Sequence, residues 1–228
     1  MWWNCALHGH EGGFRKPHNL SSKKAEEFSE NVRKNFEHGD LNFRVKFKLY
    51  NPKKSDNKKF GETFYTNSSE KQAFKVTLEG KEYDFSHRQD QVEKTFIGEN
   101  LQANVPFFDD LVLAPQDLYL FLNLSLDDSY EYFGSAKVAG RPVQRFIRHE
   151  ENSIDNIQYS NVMVSIDAKY MIILQIDFLN DILVPVRQLS IRSFKDFGGS
   201  WMPKIIEITD FQNHRHAKLE ILSVETET

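Results

Sequence analysis

The C-terminal part of the chain, from residue 159 onward, constrains the fold most, because apolar residues recur there at every second position. The alternating runs lie at 162–166, 170–178, 189–191, 201–208 and 219–221. Short gaps containing Gly, Asn or Asp separate several of these runs, and none has room for a helix of ordinary length. This pattern is typical of half-buried antiparallel strands joined by hairpins. It predicts a sheet with one apolar face and one solvent-facing face.

Further strands are predicted before residue 159. At 42–50, Phe43, Val45, Phe47 and Leu49 alternate with basic residues. Shorter runs follow at 60–66, 73–78, 83–87, 92–97, 130–138 and 142–148. The breaks between the earlier runs are a few residues long, so they predict a meander.

Two helices are predicted beside the strands. Ala25, Phe28, Val32 and Phe36 recur at spacings of three and four, which predicts an amphipathic helix at 23–38 with these residues facing the sheet. A short helix rich in Leu, Tyr and Phe is predicted at 117–124, within a proline-containing insert. Together the elements predict a mainly β, α+β fold in which helices cover one face of an antiparallel sheet.

Composition limits the class of protein. With 39% hydrophobic and 27% charged residues, the chain is expected to be globular. Residues 1–20 lack periodicity and predict a flexible leader, whereas no Pro/Ser/Gly linker interrupts a single domain at 21–228. A net charge of −4 argues against nucleic acid as a partner. No apolar run is long enough for a transmembrane segment, and no signal peptide is visible in this chain.

The sequence offers little catalytic chemistry. His214 and His216 have a spacing that can ligate a metal, but no third ligand stands nearby, so surface positions are favoured. Cys5 is interpreted as a plain thiol, and the usual nucleophile, phosphate-binding and zinc-protease motifs are absent. We therefore expect no catalytic residue, no metal site and no cofactor, and the protein is not expected to be an enzyme.

An ordered set of motifs carries a resemblance to a known family. The set consists of Leu183-Val184-Pro185-Val186-Arg187, Phe194-Lys195-Asp196-Phe197, Gly199-Ser200-Trp201-Met202-Pro203-Lys204, Glu207-Ile208-Thr209-Asp210 and His214-Arg215-His216-Ala217-Lys218-Leu219. In order and spacing it resembles the LolA-like outer-membrane lipoprotein-sorting family over roughly the last fifty residues. An arginine-proline pair typical of the carriers is missing at 66–69.

The resemblance implies a strongly curved antiparallel sheet, an incomplete β-barrel, with a helical lid over an apolar cavity. It also implies a periplasmic protein that binds lipoprotein acyl chains or another lipid, for sorting or transport to the outer membrane. The alternative is an envelope interaction or sensor protein of the same fold, with envelope proteins as partners and no transported ligand. The predicted cavity lining is Phe43, Val45, Phe47, Leu49, Phe64, Phe74, Val76, Leu174 and Ile176.

Overall fold

One open antiparallel sheet of eleven strands dominates the structure, a computed structural model. It describes residues 19–36, 41–67, 72–78, 81–87, 126, 129–154, 157–197 and 201–227. The elements are α1 (Ser22–Phe36), β1 (Leu41–Asn51), β2 (Lys54–Asn67), β3 (Gln72–Leu78), β4 (Lys81–His87), β5 (Glu131–Val138), β6 (Arg141–Ile154), β7 (Ile157–Asp167), β8 (Ile173–Leu179), β9 (Pro185–Asp196), β10 (Trp201–Asp210) and β11 (Arg215–Glu227).

The two halves of the chain join in the middle of the sheet. The strand order is β4-β3-β2-β1-β11-β10-β9-β8-β7-β6-β5, so β1–β4 and β5–β11 are two meanders that meet where β1 pairs with β11. At this junction Phe47 lies opposite Ile221, and Leu49 lies opposite Leu219. The prediction of one antiparallel sheet built from both halves is confirmed. The single domain at 21–228 stays a prediction.

The sheet is curved, and β-bulges accompany the curvature. Register shifts occur beside Phe47 in β1, near Ile205 in β10, between Ser165 and Ile166 in β7, and near Gly134 in β5. A bulge bends its strand and increases the local twist, so repeated bulges allow one face to wrap around a common interior. The main buried cluster accordingly includes Val76 of β3 as well as Phe146 of β6.

We call the side of the sheet that carries this cluster the inward face, and the opposite side the outer face. Across the central strands, the apolar residues of the inward face follow the pairing register. They are Val45, Phe47, Leu49, Ile221, Leu219, Ala217, Ile206, Ile208, Leu189, Ile176, Phe178, Val162, Val164, Ile166 and Phe146. A smaller cluster of Val143, Ile172 and Leu174 lies on the outer face.

Helix α1 covers part of the inward face, as its apolar spacing predicts. Ala25 and Val32 are buried, and Val32 belongs to the main cluster. The ring of Phe28 stacks on that of Phe146 with a centroid distance of 6.0 Å and an interplanar angle of 7°. The side chain of Phe36, also predicted to face the sheet, lies outside the described residues.

The turn between β7 and β8 corrects one predicted strand. The alternation at 170–178 predicts that Tyr170 begins a strand, but β8 begins at Ile173. Asp167 explains the difference, because its Oδ1 accepts hydrogen bonds from the backbone N–H groups of Lys169 and Tyr170 at 2.9 and 2.8 Å. Met171 completes the turn with a φ of 55°. Residues 1–18 of the predicted leader at 1–20, the predicted strand at 92–97 and the predicted helix at 117–124 lie outside the described residues.

Candidate ligand-binding face

Five predicted lining residues meet in the main cluster of the inward face. They are Val45, Phe47, Leu49, Val76 and Ile176, and each is at most 3% exposed. Their positions follow from strand alternation, because residues at i, i+2 and i+4 point to the same side of a sheet. The structure therefore brings these five side chains into one apolar interior.

Phe64 and Leu174 are predicted for the inward face but lie on the outer face. Phe64 follows Thr63, which pairs with inward Val45, so the phenylalanine points the other way. The guanidinium carbon of Arg44 lies 4.5 Å from its ring centroid.

Leu174 is turned outward by a β-bulge. The register changes from Ser165 opposite Gln175 to Ile166 opposite Ile173, which leaves Leu174 as the extra residue in β8. An extra residue shifts the alternation by one position. Leu174 therefore packs in the outer cluster, whereas Ile173 joins the main cluster.

Phe43 and Phe74 are placed only by their backbones. Phe43 lies in β1 opposite Tyr65, and Phe74 lies in β3, also opposite Tyr65. Their side chains lie outside the described residues, so their predicted role in a lining stays a prediction.

Several residues at the centre of this face were not among the predicted lining residues. Phe178 is 1% exposed, and Tyr159 meets it edge-on with a centroid distance of 5.0 Å. Phe146 lies beneath the helix, in contact with both Phe28 and Tyr132. The alternation at 170–178 indicated Phe178, because Phe178 shares its parity with Ile176. Phe146 lacks this signal, because the neighbouring positions of its parity are Gln144 and Arg148.

Charged residues lie at one end of the inward face. Arg187 is fully buried, and its guanidinium carbon lies 5.5 Å from the ring centroid of Phe178. In the strand register Arg187 is opposite Asp210, which is also fully buried. Arg215 places Nη2 3.0 Å from Oδ2 of Asp210. This end of the face is therefore charged, whereas the centre is apolar.

Asp210 also organises the turn that follows β10. Its Oδ1 accepts a hydrogen bond from the backbone N–H of Asn213 at 3.0 Å, and its Oδ2 accepts one from Asn213 Nδ2 at 2.8 Å. Burial by itself would raise the pKa of Asp210, but the hydrogen bonds from Asn213 and Arg215 outweigh it and hold the pKa below its usual value. The carboxylate is thus the ionised centre of a turn.

A polar group at the edge strand ties the start of α1 to the sheet. Gln144 Oε1 accepts hydrogen bonds of 2.8 Å from the hydroxyls of Tyr132 and Ser135. The Tyr132 oxygen accepts one from the backbone N–H of Leu20 at 2.9 Å, and Asn19 Oδ1 accepts one from the backbone N–H of Ser135 at 2.9 Å. The segment that enters the helix is therefore fixed to β5 and β6.

The outer face carries ion pairs and a buried carboxylate. Glu207 lies 2.7 Å from Lys218 Nζ and also pairs with Arg192. Asp177 accepts hydrogen bonds from Gln175 Nε2 at 2.8 Å and from Gln188 Nε2 at 2.6 Å. Burial nevertheless raises the pKa of Asp177 above its usual value.

This raised pKa predicts a pH-dependent effect of Asp177→Asn. An aspartate has a pKa of about 3.9 in an unfolded chain. Because the folded protein holds the proton more tightly, the wild type loses stability as the pH rises from that value through the folded-state pKa. The asparagine variant lacks this loss. Urea denaturation at several pH values between about 3 and 7 should therefore show that the free energy of unfolding of the variant increases relative to that of the wild type as the pH rises. A decrease of the variant's stability relative to the wild type as the pH rises would show that the hydrogen bonds from Gln175 and Gln188 outweigh burial in setting the pKa of Asp177.

The two histidines considered as ligands lie on and beside β11. His214 is exposed in the turn, whereas His216 Nδ1 is 3.2 Å from Thr209 Oγ1. Burial lowers the pKa of His216, although Glu207 opposes the shift. Among the described residues, no group of three or more His, Cys, Asp or Glu side chains could hold a metal ion. Within the same part of the chain, no helix has the length and apolar character needed to cross a membrane.

The curved sheet with a helix on its inward face is a LolA-like fold. A domain described as an outer membrane lipoprotein-sorting protein, from Vibrio parahaemolyticus, matches with a TM-score of 0.61 and 14% identity over 91% of this chain and 94% of that one. A LolA superfamily protein from Nitrosomonas europaea matches with a TM-score of 0.55 and 9% identity over 92% and 94%. A DUF1329 family protein from Desulfovibrio piger matches with a TM-score of 0.57 and 12% identity over 90% of this chain and 93% of that one.

Sequence comparison places the chain in a family. The model of a family described as "uncharacterized protein" matches residues 112–228, more than half of the chain. The protein belongs to this family. No curated protein matches the sequence.

Proposed function

We propose that the protein binds the acyl chain of a lipid or lipoprotein on its inward face. The observation that carries the proposal is the continuous apolar surface that this face forms across β1, β11, β10, β9, β8 and β7. Apolar surface of this kind suits an acyl chain, since each methylene removed from water contributes about 0.8 kcal/mol. The fold shared with lipoprotein-sorting and LolA superfamily structures supports the same class of ligand.

Helix α1 is the element that a ligand would displace. Phe28 and Val32 pack over the inward face, and Phe28 stacks on Phe146. The residues just before the helix are hydrogen-bonded to Tyr132 and Ser135. Displacing Phe28 and Val32 from the sheet would expose the apolar surface beneath them to an acyl chain.

The burial of the inward face favours a second candidate function. Leu49, Val164 and Ile176 are all 0% exposed, so the face is closed in this structure. A permanently closed interior fits an envelope interaction or sensor protein of the same fold, whose apolar face is only a core. Both functions would place the protein in the periplasm, and neither assigns it catalytic residues.

An Ala217→Leu variant distinguishes the two functions. Ala217 is fully buried in the main cluster. In a permanently solid core, the added side chain should lower the free energy of unfolding by about 1–3 kcal/mol. In a ligand-binding face, the leucine should in addition weaken the binding of a fluorescent fatty acid, because it occupies surface that the acyl chain would contact. Ala136→Leu, next to the outer cluster, is the matched control and should leave fatty-acid binding unchanged.

Mass spectrometry of organic extracts gives an independent readout. Purified wild-type protein should release a co-purified lipid, and Ala217→Leu protein should release less of it. Wild-type protein that yields no lipid and binds no fluorescent fatty acid at micromolar concentration would contradict acyl-chain binding. That result would favour the interaction protein.

A further inference from the structure

Two neighbouring turns expose large apolar side chains at one end of the sheet. The β8–β9 turn presents Ile182, Leu183 and Val184, which are 72%, 41% and 49% exposed. The β10–β11 turn presents Phe211, which is 42% exposed. Turn tips ordinarily carry Gly, Asn, Asp or Ser, so aliphatic and aromatic residues here need a separate explanation. We call these four side chains the apolar rim.

The apolar rim is continuous because the two turns are joined. The backbone N–H of Phe211 donates a hydrogen bond to the carbonyl oxygen of Val186 at 3.0 Å, which ties the β10–β11 turn to the start of β9. Asp210 lies opposite Arg187 in the same register. The two turns therefore belong to adjacent hairpins and lie side by side at the same end of the sheet.

Asn180 holds the β8–β9 turn in a fixed shape. The backbone N–H of Val184 donates to Asn180 Oδ1 at 2.8 Å, and that of Leu183 donates to the Asn180 carbonyl at 3.0 Å. Leu183 has a φ of 60°, a conformation that is uncommon for a leucine. The turn therefore presents its apolar side chains in a preorganised arrangement, which reduces the entropy lost on binding.

Basic residues lie beside the apolar rim. The β1–β2 turn is at the same end of the sheet, because Tyr50 near the end of β1 pairs with Lys218 near the start of β11. That turn exposes Lys53, and Lys58 is exposed on the adjoining part of β2. His214 is exposed in the Phe211 turn, and Asp181 is the exposed acidic residue at the base of the Ile182 turn. Apolar side chains next to lysines suit an anionic lipid surface.

We propose that the apolar rim docks the protein on an anionic membrane surface, with Ile182, Leu183, Val184 and Phe211 entering the boundary between headgroups and acyl chains. Lys53 and Lys58 then contact lipid headgroups beside the inserted turns. This docking goes beyond acyl-chain binding and does not depend on it, since the rim is exposed while the inward face is closed. Its function would be to hold one end of the sheet at the membrane.

Vesicle flotation tests this docking on the full chain. The probes are vesicles of phosphatidylcholine alone and of phosphatidylcholine mixed with phosphatidylglycerol. We expect wild-type protein to float with the mixed vesicles, and we expect added salt to weaken this association. The double variant Ile182→Ser/Phe211→Ser should bind the mixed vesicles at least about tenfold more weakly, because two apolar insertions are lost. Lys53→Glu should also weaken binding to the mixed vesicles.

The control is Leu222→Ser, since Leu222 is 42% exposed, as Phe211 is, but lies in β11 away from these turns. It should bind the mixed vesicles as the wild type does. Failure of the wild type to float with mixed vesicles, or equal flotation of the double variant, would overturn the proposal. Self-association that the double variant abolishes, without vesicle binding, would show that the rim instead contacts a second copy. Fatty-acid binding measured on the same double variant should be unchanged, so this experiment can fail without affecting the proposed function.

Discussion

Replacing Phe47 by alanine is expected to lower the free energy of unfolding by about 3–5 kcal/mol. Phe47 is 1% exposed and lies opposite Ile221, at the junction of the two meanders. The loss combines the transfer free energy of the ring with the cavity that remains, because close-packed neighbours relax only partly. Chemical denaturation of the ligand-free protein measures it directly.

Phe60→Ala is the matched control for this substitution. Phe60 lies on β2 and is 59% exposed, so its removal should change the free energy of unfolding by no more than about 0.5 kcal/mol. A loss for Phe47→Ala as small as that of the control would show that the ring already borders open space. Altered fatty-acid binding by Phe47→Ala together with such a small loss would support a ligand-filled interior.

The sequence predicts strands well where apolar residues alternate without interruption. Val45, Phe47 and Leu49 show this, because their alternation with lysine and arginine determines the face of β1. In β2 the apolar residues do not mark the inward face in this way. The inward position opposite Val45 is filled by the hydroxyl-bearing Thr63, whereas the larger apolar Phe64 lies outward against Arg44. Hydrophobicity alone therefore did not identify the correct face of this strand.

Leu174 and Tyr170 could not be placed from their own residue types. The face of Leu174 depends on a bulge opposite β7, a property of strand pairing between two segments. The position of Tyr170 depends on the Asp167 carboxylate, which accepts two backbone hydrogen bonds and forms a turn in place of the first residues of the strand. Both features arise from contacts that periodicity does not represent.

The exposure of the apolar rim could not be predicted from the sequence either. Ile182, Leu183 and Val184 look like part of a buried strand, since three consecutive apolar residues precede Pro185. Asn180 instead closes a turn around them and leaves them exposed. An apolar run indicates burial only when the chain is extended there, and here the backbone N–H of Val184 donates a hydrogen bond to the Asn180 side chain, which closes a turn instead.

Asp210→Asn is expected to destabilise the protein by about 3–5 kcal/mol near neutral pH. The substitution removes the negative charge from a fully buried position that Arg215 contacts and that Arg187 faces across the strand pair. It also removes an acceptor from Asn213. The cost is large because Asp210 is fully buried, and the charge of Arg187, which is also fully buried, stays in a poorly solvated place when the carboxylate is removed.

The pH dependence of this loss follows from the pKa of Asp210. The folded protein holds this pKa below its usual value, so the carboxylate stabilises the fold above the unfolded-state pKa of about 3.9 and loses that contribution as the pH falls through the folded-state value. The difference in free energy of unfolding between the wild type and the Asp210→Asn variant should therefore decrease as the pH is lowered from about 7 to 3. A double-mutant cycle with Arg215→Met isolates the ion pair, since the two losses should be clearly less than additive. Additive losses would mean that Asp210 stabilises its turn through the Asn213 hydrogen bonds without the ion pair. A difference in free energy of unfolding that does not vary with pH would contradict the lowered pKa of Asp210.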